Sequence, residues 1–254
     1  MTITDQPQLN SQHKFAVIVP AAGVGKRMKT LQPKQYLTID NQTVLEHTVE
    51  RLLTHPAIDK VIIAIGSEDE YYATTQLIQL KNVSTVVGGK ERVDSVLAGL
   101  KAININEYPW VLVHDAARPC VSHNDISALI SQCIQLNSGG LLATPIRDTI
   151  KRSNNNNLVR ETVDRERLWH ALTPQLYPTP LLLQAIETAL ANNIPITDEA
   201  SAIEYLGQES LLVEGSGDNI KITRPDDLHL AEFILAKQNN VTHTSYHIKE
   251  EKCE

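Results

Sequence analysis

The chain has 254 residues, 42% of them hydrophobic, and a formal net charge of −7. That apolar share can fill a sizeable core, and with only two Phe and two Trp the core is expected to be aliphatic. The acidity argues against nonspecific nucleic-acid binding, so an anionic substrate would need Lys and Arg gathered locally. Three cysteines (Cys120, Cys133 and Cys253) show no metal-like spacing and suggest a reducing compartment. The first fourteen residues lack an apolar stretch and any Arg, and no apolar run approaches a membrane span. A cytoplasmic protein is expected, without membrane association.

In chain order, β-rich runs alternate with helical periodicity, the pattern of a largely parallel sheet covered by helices. Strands are predicted at Phe15–Val19, Lys60–Ile65, Ser84–Val87, Trp110–Val113 and Leu141–Ile146. Helices are predicted at Val44–Leu53, Glu91–Ile103 and Ile126–Leu136. In the second of these, Val93, Val96, Leu97 and Leu100 share one face, which leaves Arg92, Ser95 and Gly99 on another stripe. The segment from Thr149 to Leu168 breaks the alternation with two polar arms around four asparagines. It reads as a hairpin that packs on a partner, being marginal alone.

Helices are predicted again at Leu181–Ala191 and Glu199–Leu206, then strands at Leu211–Glu214 and Lys221–Thr223. The last helix is expected to start from a Thr223-Arg-Pro-Asp226 cap and to run to about Lys237. One domain over residues 14–237 is expected, with 147–168 as its hairpin arm and with flexible tails at 1–13 and 238–254.

The first predicted strand runs into Pro20-Ala-Ala-Gly-Val-Gly-Lys-Arg27-Met. A strand followed by small residues and a helix start presents N–H groups to an anion. Met28 stands where a dinucleotide fingerprint needs its third glycine. Pro20 and Arg27 occupy positions where a Walker A loop needs Gly and Ser or Thr. Lys26, Arg27 and Lys34 crowd cations at this loop all the same.

The loop, with Pro33-Lys-Gln-Tyr-Leu37, is similar to the signature of sugar- and polyol-phosphate nucleotidyltransferases. Further motifs narrow the likeness. These are Gly88-Gly89-Lys-Glu-Arg92-Val-Asp-Ser95, His114-Asp115-Ala-Ala-Arg118-Pro119, Thr173-Pro-Gln175, Thr197-Asp-Glu-Ala-Ser201 and Asp218-Asn-Ile-Lys221-Ile-Thr223. Over residues 15 to 236 the chain resembles the 2-C-methyl-D-erythritol 4-phosphate cytidylyltransferases of the non-mevalonate isoprenoid pathway.

The resemblance implies an α/β, Rossmann-like three-layer nucleotidyltransferase fold with a mostly parallel twisted sheet. It implies attack of the acceptor phosphate on the α-phosphorus of CTP, with loss of pyrophosphate. A phosphate monoester with its second pKa near ~6 is already nucleophilic at neutral pH, so no general base is required. By resemblance Arg27, Lys34, Arg165 and Lys221 are the catalytic cations. Ala21, Ala22, Gly23, Gly25, Lys26, Gly88, Gly89, Arg92, Ser95, Asp115 and Ala116 complete the nucleotide site. Arg118, Thr149 and Thr197, with Arg165 and Lys221, meet methylerythritol phosphate. His114 and the Lys90 side chain are assigned no contact with substrate. Mg²⁺ is expected with CTP, its protein ligands left open, and so is a homodimer whose arms cross to share sites. A ribitol 5-phosphate cytidylyltransferase and a noncatalytic nucleotide-binding regulator are the alternatives.

Overall fold

The computed structural model describes residues 14–23 and 32–241. Its organising element is β1 (Phe15–Pro20), whose first five residues are all buried. Two short strands follow, β2 (Thr38–Ile39) and β3 (Gln42–Thr43), and then α1 (Val44–Leu53). Helix α1 starts at Thr43, whose Oγ1 accepts from the Glu46 N–H (3.1 Å) while the Glu46 carboxylate accepts from the Thr43 N–H (2.7 Å).

The chain continues through β4 (Ile58–Ile65), β5 (Val83–Val87), α2 (Arg92–Lys101), β6 (Trp110–Val113), α3 (His123–Leu136) and β7 (Gly140–Pro145). A hairpin, β8 (Ile150–Ser153) and β9 (Val159–Val163), precedes β10 (Trp169–Pro178), α4 (Thr179–Ala191), α5 (Glu199–Tyr205), β11 (Leu211–Glu214) and α6 (Pro225–Val241). Among the described residues no helix is long and apolar enough to cross a membrane.

Seven strands form one sheet in the order β11-β7-β10-β6-β1-β4-β5. All neighbours pair parallel except β10, which is antiparallel to both β6 and β7. Alternation along β1 makes the layers. Phe15, Val17 and Val19 join the cluster under α1 and α3, while Ala16 and Ile18 join the cluster under α2, α4 and α5. Gly99 lets α2 lie close on β1, because a Cβ there would stand 2.6 Å from Ile18 Cγ2. A mostly parallel α/β sheet between helical layers agrees with the expected fold.

Four expectations need correction. The strand β10 was not anticipated, because Pro174 interrupts its pattern; the ladder absorbs it at a register break between Ala171 and Gln175. Lys221–Thr223 joins no sheet; Ile222 N–H instead donates to Ala117 O at 2.9 Å. The cap of α6 uses Asp227 rather than Asp226: its carboxylate accepts from the N–H groups of Thr223 and Arg224. The core is largely aliphatic, yet Tyr36 and Tyr177 are among its largest fully buried side chains, and Phe233 is 68% exposed. Cys120 and Cys133 are buried and free, and burial pushes both thiols up to about 12.

The hairpin turn is built from asparagines. Asn157 adopts φ +60°, and Asn154 Oδ1 accepts from the N–H groups of Asn156 and Leu158. Most of the hairpin is exposed, including Leu158 (63%) and Val159 (65%).

Candidate active site

The carboxyl ends of β1, β5 and β6 open on a cleft of about 300 Å³, where open α/β sheets place their ligands. Ala21, Ala22 and Gly23 from the end of β1 form one wall, and Gly89, Arg92 and Ser95 from the start of α2 form another. Lys34, Asp115, Ala116 and Lys221 complete it. Gly88 lies just behind: a Cβ there would come within 2.7 Å of both Ala22 Cβ and Ser95 Oγ, so only glycine permits this approach. Its neighbour Gly89 donates its N–H to Ser95 Oγ at 3.2 Å. Gly25, Lys26 and Arg27 lie outside the described residues.

Gln35 shapes the first wall. Its side-chain nitrogen donates to Ala21 O (2.6 Å) and Gly23 O (3.1 Å), which turns those carbonyls towards Gln35. Both partners are acceptors, so the amide orientation is fixed by chemistry. Gln35 sits in the 3-10 turn Lys34–Tyr36 beside Lys34, whose Nζ donates to Ile222 O at 2.8 Å. Sequence reasoning gave Gln35 no role, although it stood inside the Pro33-Lys-Gln-Tyr-Leu37 motif.

Arg92, Asp115 and Lys221 also line a second, adjoining cavity, together with Arg118, Thr173, Gln175, Thr197 and Asp198. At the junction Asp115 meets three cations: Arg92 Nε at 3.0 Å, Lys221 Nζ at 2.8 Å and Arg118 Nε at 3.3 Å. Burial would push its carboxyl up, but the charges of Arg92, Lys221 and Arg118 outweigh that and hold it well below the usual carboxylate range. Burial lowers the Arg118 guanidinium. For Arg92 burial acts the same way, but Glu199 and Asp115 more than offset it and raise that group.

The frame around Asp115 is hydrogen-bonded throughout. Thr173 Oγ1 accepts from Asp115 N–H (3.0 Å) and lies 3.0 Å from His114 Nδ1, while His114 Nε2 lies 3.0 Å from Arg118 O. A neutral His114 protonated on Nε2 satisfies all three contacts. Its pKa is accordingly lowered to about 4, chiefly by burial. His114 thus holds the strand-end turn together and is fully buried. Arg118 Nη1 donates to Asn219 O at 2.7 Å, and Asn219 Nδ2 donates to Thr173 O at 2.8 Å. Those bonds, with Ile222 N–H on Ala117 O, carry Lys221 to the junction without a strand.

Nine of the expected nucleotide-site residues therefore line the cleft, and Arg118, Thr197 and Lys221 line the second cavity. Lys90 is exposed at the cleft rim. Thr149 and Arg165 are exposed at the base of the hairpin and line neither cavity. Arg165 donates to Arg147 O, in a turn where Arg167 adopts φ +62°.

The family model for 2-C-methyl-D-erythritol 4-phosphate cytidylyltransferase, IspD, matches residues 15–237. The chain belongs to this family. It is 59% identical over 237 residues to the 2-C-methyl-D-erythritol 4-phosphate cytidylyltransferase of Colwellia psychrerythraea, covering 90% of this chain and 98% of that protein. It is 51% identical over 232 residues to that of Vibrio vulnificus, covering 91% and 98%. The crystal structure of a 4-diphosphocytidyl-2C-methyl-D-erythritol synthase superposes with TM-score 0.76 at 34% identity, over 88% of this chain and 99% of that one. The IspD structure from Francisella tularensis gives TM-score 0.75 at 36% identity, over 87% and 99%. The chain is thus a nucleotidyltransferase of the IspD family, a cytidylyltransferase.

Proposed function

We propose that this chain transfers a cytidylyl group from CTP to 2-C-methyl-D-erythritol 4-phosphate in the cytoplasm, giving 4-diphosphocytidyl-2-C-methyl-D-erythritol and pyrophosphate. Residues 14–237 act as one catalytic domain. The observation that carries the reading is the junction itself: two cavities that meet at Arg92, Asp115 and Lys221, with Lys34 on the nucleotide side. CTP occupies the cleft and the polyol phosphate the second cavity, so the attacking oxygen and the α-phosphorus meet between them.

Alignment and positive charge are the tasks left to the protein, since the acceptor phosphate is its own nucleophile. Lys34 and Arg27 stabilise charge on the pentavalent phosphorus. Lys221, with Arg118 and Thr197, orients the acceptor. Gln35 keeps the Ala21 and Gly23 carbonyls turned to itself, which removes two repulsive dipoles from the triphosphate. Ser95 and the Gly88-Gly89 turn hold the base.

A divalent ion, Mg²⁺, accompanies CTP. The acidic residues lining the cleft are Glu91 and Asp115, and Asp115 is already engaged by three cations. Among the described residues no group of three or more His, Cys, Asp or Glu could cage a metal. That donor set fits an ion held mainly by phosphate oxygens and water, as is usual for Mg²⁺. When bound, it screens the triphosphate so that an anion can approach. Excess EDTA should abolish turnover.

Thr149 and Arg165 belong to the acceptor site of a second copy. The arm crosses a two-fold axis and delivers them there, and the exposed Leu158 and Val159 on the same hairpin are covered in that assembly.

The direct test incubates purified protein with CTP, Mg²⁺ and the acceptor and weighs the products. A CDP-polyol plus pyrophosphate is expected. A ribitol 5-phosphate product in preference, or none from either polyol, would contradict the assignment. CTP should also exceed UTP in kcat/KM by about a hundredfold or more, because a carbonyl in place of the exocyclic amine leaves buried partners unpaired.

A further inference from the structure

We propose that Glu199 is a positioning residue: by occupying both terminal nitrogens of Arg92, it decides how Asp115 shares its oxygens and so keeps Lys221 where the two cavities meet. Glu199 is 2% exposed and lines neither cavity. Its Oε1 and Oε2 accept from Arg92 Nη1 (2.7 Å) and Nη2 (3.1 Å). Held in that orientation, the guanidinium donates to Asp115 through Nε, to Oδ1 at 3.0 Å. Asp115 Oδ2 then stays with Lys221 (2.8 Å) and Arg118 (3.3 Å).

The alternative arrangement is easy to name. A guanidinium prefers to grip a carboxylate with two parallel N–H donors. Without Glu199 the nearest carboxylate to Arg92 is Asp115. A two-pronged grip there would occupy both oxygens and displace Lys221. The cluster would also rise from three cations against two carboxylates to three against one, which pushes the cations apart.

Glu199 is well placed to resist this. It opens α5, and Gln175 from β10 fixes that start twice: Oε1 accepts from Ala200 N–H and Nε2 donates to Asp198, both at 2.9 Å. The carboxylate is therefore set by the sheet and not by the substrates. This deepens the functional reading above and rests on Lys221 serving the acceptor.

The test compares full-length Glu199→Gln, Arg92→Lys and their double variant, with Lys221→Ala as reference. Acceptor KM is measured by steady-state kinetics and CTP binding by calorimetry. Glu199→Gln should raise the acceptor KM about tenfold or more, as expected for a lost charged hydrogen bond, while the CTP Kd stays within about twofold. Because Glu199 acts through Arg92, the double variant should be no worse than Arg92→Lys alone.

If Glu199→Gln does not fold, Glu199→Asp keeps the charge but draws it back from Arg92, and it should still raise the acceptor KM. A merely structural Glu199 would lower Tm with the acceptor KM unchanged, and that result in either Glu199 variant overturns the proposal. So do effects of Glu199 and Arg92 that simply multiply. An unchanged acceptor KM in Lys221→Ala overturns the functional reading and this inference with it. A raised KM there but not in Glu199→Gln overturns this inference alone.

Discussion

The junction around Asp115 and the hairpin β8–β9 are opposites in construction. Asp115, Arg118 and Glu199 are each under a tenth exposed and locked to one another, to Arg92 and Lys221, and to backbone carbonyls. The hairpin is mostly exposed, and its Arg152–Glu161 pair is more than half exposed at both ends. A chain of one composition thus places some of its cations in a rigid interior frame and others on an arm reaching outward. In the first case position comes from neighbours within the chain. In the second, on the proposed assembly, it comes from the second copy.

That contrast can be broken by substitution. The largest effect is expected at Lys34, on the nucleotide side of the frame. Lys34→Ala should lower kcat by about a thousandfold with a much smaller change in CTP binding. A loss seen only in KM would make Lys34 a uniform binder. Next come the two arginines assigned to the acceptor. Arg118→Ala should cost activity and, because it strips a buried partner from Asp115 and Asn219 O, about 2 kcal/mol of stability. Arg165→Ala should cost comparable activity with an unchanged Tm, since its side chain is exposed. Equal stability losses, read by thermal melts, would erase the distinction.

The smallest effect tests the interior alone. His55 is buried against Ser127 and beside His123, and burial followed by the His123 charge lowers its pKa to about 4. Its unfolded value is near ~6.5, so the unfolded chain gains a proton first as pH falls. Stability is full above that value and declines as pH drops from about 6.5 towards 4, by roughly 2 kcal/mol between pH 7 and 5. His55→Gln should flatten that slope in melts across the range, whereas hairpin substitutions should leave it as it is.

The frame and the arm also differed in how far the sequence revealed them. Strand β6, helix α1 and strand β11 carry plain periodicity and stand where their patterns put them. Strand β10 was hidden because Pro174 contradicts a central strand, and only the register break in the folded ladder accommodates it. Lys221 was legible as a site residue but not as part of an unpaired segment, since its support comes from Ala117, Arg118 and Thr173, distant in sequence. Glu199 and Gln35 were in view inside motifs, yet nothing in their spacing says which carbonyl or guanidinium they face. The asparagine turn of the arm was legible because its chemistry is local.

The central claim is that each interior frame is completed by the arm of a second copy. It is tested most directly by mixing Lys34→Ala and Arg165→Ala proteins, both expected to be inactive, and allowing subunits to exchange. Each mixed dimer then holds one site with both lesions and one with neither. Half the dimers are mixed and half their sites intact, so roughly a quarter of wild-type activity should return under two-fold symmetry. Verified exchange with no recovered activity would show that Arg165 serves its own chain, and would contradict the account.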